Sequence, residues 1–117
     1  MKVLLIDALS KRLTCKNKTI LLTDKEFLLF ECLSSYRSGN NISVSSVVSY
    51  VWHGRESTIG RLNISQLIFR LRRKFESLDN RVEITFSMSA GINFHFLEKC
   101  IVLRSGHISR LLIALIP

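Results

Sequence analysis

The sequence predicts an α+β fold: a small N-terminal antiparallel sheet, three helices and a C-terminal β-hairpin. Three observations carry that expectation. The chain opens with short runs of β-formers, the second and third separated by a polar turn. A helix-capping signature, Thr23-Asp24-Lys25-Glu26, follows them directly. A basic amphipathic stretch from Arg61 to Phe75 then precedes two more β-rich runs.

Taken in order, residues 3–7, 12–15 and 19–22 read as strands, and Lys16-Asn17-Lys18 is a turn of hairpin size. Thr23 is placed to cap the amide of Glu26, and Glu26 to reach back to the Thr23 amide. Leu22 and Phe27 flank this box as a hydrophobic staple. The helix runs through Phe27, Leu28, Phe30, Glu31 and Leu33 into the polar segment 34–41, where Gly39 and Asn40 mark a stop. Ser43 caps a second helix, 44–52. Its β-branched residues disfavour an isolated helix, so the shared face of Val47, Val48, Val51 and Trp52 has to override propensity through packing. A loop, 53–58, leads to the basic helix, which ends near Ser77-Leu78-Asp79-Asn80. Residues 81–87 and 92–97, joined by Met88-Ser89-Ala90-Gly91, form the final hairpin.

The basic helix holds the functional signal. Arg61, Arg70, Arg72, Arg73 and Lys74 fall within it, with no acid before Glu76. Ile64, Leu67, Ile68, Leu71 and Phe75 make one apolar stripe. At about 100° per residue the opposite face centres on Leu62, Gln66, Phe69 and Arg73, flanked by Ser65 and Arg70. Gln and Arg pair bidentately with adenine and guanine edges in a major groove. The competing reading is a surface helix whose cations are simply solvated.

The totals point the same way. A chain of 117 residues, 47% hydrophobic, suits one domain with a buried core. A net charge of +8 and a pI near 9.9 favour a polyanionic partner, nucleic acid or an anionic membrane surface. Cys15, Cys32 and Cys100 are odd in number and lack metal-ligand spacing, which fits reduced cytosolic thiols. The opening Met1–Ile6 run is interrupted by Asp7 and is too short for a signal peptide. His53, His95 and His107 have no ligand or acid at useful spacing, and no nucleophile elbow or phosphate-cradling glycine loop occurs. No catalytic residue, metal or cofactor is therefore expected.

The element order and four sequence fragments together resemble the winged helix-turn-helix domain of OmpR/PhoB-type bacterial regulators, closest to the ToxR/CadC-like branch that lacks a receiver domain. Leu22-Thr23-Asp24-Lys25-Glu26-Phe27-Leu28-Leu29 matches that family's L-T-x-x-E-F-x-L-L helix opening. Ile42-Ser43 with Val51-Trp52 matches its V-S…V-W helix. Ile64 to Ile68 with Leu71-Arg72-Arg73-Lys74-Phe75 is similar to its recognition helix, and Ile84 and Gly91 stand at two positions of its wing motif. The wing's Arg, first Gly and Tyr are replaced by Met88, Ser89 and Ile92, which removes two groups suited to phosphate and minor-groove contact. An Asp common in the recognition helix is replaced by Ser65.

The resemblance implies a cytoplasmic transcriptional regulator spanning residues 1–97, with helix 61–76 in the major groove and wing 81–97 on the backbone and minor groove. Double-stranded DNA is the implied partner, with RNA polymerase and a homodimer on DNA as further expectations. Gln66, Phe69, Arg70 and Arg73 are the base-reading candidates. Phe69 suits either a thymine methyl or packing against a partner. Arg61, Ser65, Lys74, Ser89 and Asn93 are the phosphate candidates. Arg72 lies nearer the core edge, where an ion pair with Glu76 is its structural reading. The alternative function is a protein-interaction module that has lost specific DNA binding.

Residues 98–117 read as an apolar tail. Arg104, His107 and Arg110 precede the run 111–116, as positive flanks precede a membrane span, but a span needs about 20 apolar residues. A truncated relative of a membrane-anchored regulator, a helix packed on the domain or a partner, and a membrane-surface tether all remain open.

Overall fold

The computed structural model describes residues 2–35 and 41–105. Their order is β1 (Lys2–Asp7), β2 (Arg12–Cys15), β3 (Lys18–Leu21), α1 (Asp24–Ser34), α2 (Val44–Val51), a 3-10 turn (Glu56–Thr58), α3 (Arg61–Ser77), β4 (Val82–Ser87), β5 (Gly91–Phe96) and β6 (Cys100–Ser105). This is an α+β fold with three α-helices and two sheets among the described residues. Residues 36–40 of the polar segment, and 106–117 of the tail with its apolar run, lie outside the described residues. No helix among the described residues is long and apolar enough to cross a membrane.

The first sheet has the order β3-β2-β1-β6. Its β2–β3 hairpin closes over Lys16 and Asn17, since Cys15 pairs with Lys18, and Lys16 takes the left-handed region at φ 57. Alternation sends Leu4, Ile6, Leu13 and Cys15 inward, all essentially buried. β6 departs from the sequence reading in two ways. Residues 100–105 belong to the folded unit instead of to a tail, and they pair parallel to β1, so the sheet is mixed instead of purely antiparallel. Arg104 fixes this strand to α1 by hydrogen bonds to Glu31 and to Ser34 Oγ, the latter at 3.0 Å.

The capping box of α1 forms as the spacing requires. Thr23 Oγ1 accepts from the Glu26 amide at 3.2 Å, and Glu26 Oε1 accepts from the Thr23 amide at 2.9 Å. The staple residues Leu22 and Phe27 are both buried. Ser43 caps α2, accepting from the Ser46 amide at 3.2 Å, and Val47, Val48, Val51 and Trp52 are buried as one face. Packing thus overrides the poor propensity of the serine- and valine-rich sequence.

The helices and the second sheet close on an aromatic cluster. Phe30 of α1 lies 5.3 Å from Phe75 of α3 and 5.8 Å from Phe94 of β5, and Phe94 lies 5.2 Å from Phe96. Tilted and edge-on ring pairs like these each add about 0.5–1.5 kcal/mol beyond burial. The β4–β5 hairpin pairs Val82 with Phe96 through Ser87 with Gly91. It is also tied to the start of α2: Ile42 and Ile92 exchange two backbone hydrogen bonds, each 2.8 Å. Gly91 permits this approach. Its φ is +96°, and a Cβ there would stand 2.3 Å from the Ile42 carbonyl oxygen.

Candidate nucleic-acid interface

α3 is seated by the five side chains of its apolar stripe. Ile64, Leu67, Ile68, Leu71 and Phe75 are all buried. At its N-terminus Asn63 Oδ1 accepts from the Gly60 amide at 2.9 Å. At its C-terminus Asp79, at φ 54, takes the left-handed position. The Asp79 amide bonds to Glu76 O at 3.0 Å and the Asn80 amide to Phe75 O at 3.1 Å, the paired bonds of a Schellman stop. Lys18 Nζ holds the Asp79 carboxylate at 2.5 Å. That hydrogen bond and the ammonium charge keep the Asp79 carboxyl below its ordinary value.

The opposite face is free of the core. Leu62, Gln66, Phe69, Arg70 and Arg73 are exposed, with Arg61 exposed at the helix start and Ser65 half-buried. Ser65, Gln66, Phe69 and Arg70 line a shallow depression. The Arg73 guanidinium lies 5.9 Å from the centre of the Phe69 ring, within cation–π range. All four base-reading candidates are therefore brought together, and Leu62, 68% exposed, extends the same face toward the helix start. The helical period places Leu62 there too, although an apolar side chain offers no hydrogen bond to a base edge.

Two other cations of α3, Lys74 and Arg72, face the protein. Glu26, only 2% exposed, is held by Lys74 Nζ at 3.2 Å and more distantly by Arg70 Nε at 3.9 Å, in addition to its bond to the Thr23 amide. Lys74 also donates to the Leu21 carbonyl at 2.7 Å. It thus satisfies a buried carboxylate and the end of β3, and the sequence-based assignment to phosphate leaves that duty out. Arg72 donates to the Ile84 carbonyl of β4 at 2.9 Å and so pins the hairpin to the helix, where the sequence suggested a pair with Glu76. Arg70 is shared, with its side chain more than half exposed and one edge turned to Glu26.

Ser89 and Asn93 lie on the hairpin, and their hydrogen bonds are internal. Ser87 Oγ accepts from the Ser89 and Ala90 amides, each at 3.3 Å, and stands 3.0 Å from Ser89 Oγ. Asn93 Nδ2 donates to Asn41 Oδ1 at 3.0 Å. The turn, Met88 to Ala90, is exposed, and together with Asn41, the first residues of α2, Glu56 and Ile59 it borders a second open depression. Sequence reading missed this one, because its walls come from three separate elements that no local pattern connects.

Neither a family model nor a curated protein matches the chain.

Proposed function

We propose that the chain is a DNA-binding transcriptional regulator of the winged helix-turn-helix type, resembling OmpR/PhoB regulators, with α3 as its reading helix and the β4–β5 hairpin as its wing. The observation that carries this reading is the division of α3 into a fully buried stripe and an exposed face of Gln66, Phe69, Arg70 and Arg73. A helix held this way on a core presents guanidinium, amide and ring in one rigid array, as major-groove recognition needs. The net charge of +8 supports the same reading by drawing the chain to phosphates before any base is read. Gln66, Arg70 and Arg73 read base edges, Phe69 contacts a thymine methyl, and Arg61 and Ser65 contact phosphate. Ser89 and Asn93 on the wing are secondary phosphate contacts, and Lys74 serves chiefly to position the helix.

A second reading has its own observation. Leu62 and Phe69, 68% and 55% exposed, stand two turns apart on the same face. They suit the apolar centre of a protein interface as well as a groove lined with thymine methyls. The two readings separate when genomic DNA is recovered with the tagged chain, beside a Gln66→Ala/Arg70→Ala/Arg73→Ala variant. A regulator gives discrete enriched sites that vanish in the variant. Uniform recovery unchanged in the variant sinks the reading-helix assignment and leaves the protein interface.

A further inference from the structure

A buried acid on another helix stands behind the exposed face of α3. Glu26, in the first turn of α1, is only 2% exposed. Its Oε1 accepts from the Thr23 amide at 2.9 Å and lies 3.2 Å from Lys74 Nζ. Its Oε2 faces Arg70, with Nε at 3.9 Å. Thr23 and Lys74 thus fix the carboxylate independently of Arg70. At this depth water screens its field little, so it acts on Arg70 more strongly than a surface acid would.

Arg70 differs in this from the other polar side chains of that face. Among the described residues no hydrogen bond or ion pair holds Gln66 or Arg73, and Arg73 has only the Phe69 ring beside it. An arginine carries five N–H donors and uses two of them on a guanine edge. With Nε turned to Glu26, the Nη donors remain for a base, and 57% of the Arg70 side chain is exposed to offer them. An unrestrained arginine gives up the freedom of its long stem on binding. One already held by a rigid anion gives up less, and a misplaced base then meets a fork that does not bend to suit it.

We infer that Glu26 is a positioning residue that presets Arg70 in the free protein, so that the base pair facing Arg70 is a guanine position and the most strictly read in the site. The inference rests on the DNA-reading assignment of α3 and deepens it by naming the residue that sets its specificity.

The test selects binding sites from a library of randomised duplex DNA with the full chain, Glu26→Gln, Arg70→Ala, the double variant and Thr23→Ala. Gln keeps the volume of Glu26 and an acceptor for the Thr23 amide but removes the charge. Arg70→Ala identifies the position that Arg70 reads. Glu26→Gln is expected to cut the guanine preference there by about tenfold, within the range that a bidentate contact commands, to leave the other positions sharp, and to add nothing in the Arg70→Ala background. Thr23→Ala weakens the same capping box and should leave the preference intact. The wild type alone supplies a second readout: in the free chain, nitrogen relaxation should find the Arg70 Nε–H rigid and those of Arg61 and Arg73 mobile. Preference at that position unchanged in folded Glu26→Gln, preference lost evenly at all positions, or an Arg70 Nε–H as mobile as that of Arg61 overturns the inference alone. A wild type that selects no sequence overturns the DNA-reading assignment and this inference with it.

Discussion

Replacing Gly91 by Ala tests how the hairpin is fixed to the helices. Two penalties act together. The backbone at φ +96° lies where an L side chain is strained, which costs about 1–3 kcal/mol. The new Cβ would also stand 2.3 Å from the Ile42 carbonyl oxygen, a contact with rigid backbone that only a displacement of the strand relieves. That displacement breaks the reciprocal Ile42–Ile92 hydrogen bonds, together worth about 1–3 kcal/mol. The expected loss is therefore about 2–6 kcal/mol in urea unfolding. Amide exchange supplies the local readout: protection at Ile42 and Ile92 falls further than at Leu67 or Leu71 in the middle of α3. A variant that loses under about 1 kcal/mol and keeps both amides protected would refute the argument, because the close approach would then impose no constraint.

Other residues give independent checks. Lys74→Met leaves buried Glu26, among the described residues, with only the more distant Arg70 as a cation; urea titration should show a loss of about 1–3 kcal/mol, while exposed Arg61→Ala should change stability little. Thr23→Ala removes the α1 cap and should cost about 1 kcal/mol by the same measurement. Asp79→Asn tests the ion pair with Lys18 at a left-handed position that Asn also tolerates. The folded carboxyl lies below its ordinary 3.8, so its contribution is present above that value and is lost as pH falls through the folded one. The wild type should thus exceed the variant in stability at pH 7, and thermal melts should begin to draw together as pH falls below 3.8 and meet only below the lower, folded value. For DNA, removing a phosphate contact at Arg61 should flatten the plot of log affinity against log salt by about one unit, whereas Gln66→Ala should relax sequence preference and leave the slope in place.

Most local structure was legible in the sequence, because it is specified locally. Thr23 and Glu26 lie three residues apart and satisfy each other's amides, and the five buried residues of α3 repeat at the helical period. The exposed face of α3 follows from the same period. What the sequence hid depends on distant partners. Nothing near Cys100–Ser105 announces that this strand lies beside Lys2–Asp7, and without that pairing its residues look like the start of a tail. Lys74 reads as one more surface cation because the buried carboxylate it meets belongs to another helix. Arg72 reads as a partner for Glu76 because the Ile84 carbonyl is out of view until the hairpin folds back.

The pairing of β6 with β1 also bears on how the chain reaches this structure. Lys2 meets Cys100 and Asp7 meets Ser105, close to the widest separation that the described chain allows. On a ribosome, β1, β2 and β3 emerge before the helices and form their hairpin contacts, yet one edge of β1 stays open until Cys100–Ser105 have been made. Closing so long a loop is slow relative to forming the local helices. The order of events expected in a refolding experiment is therefore helices first and the β1–β6 ladder last, with Val3 and Leu5 beside an unpaired strand edge in the interval. That interval is when a chaperone, or a second nascent chain, has its access.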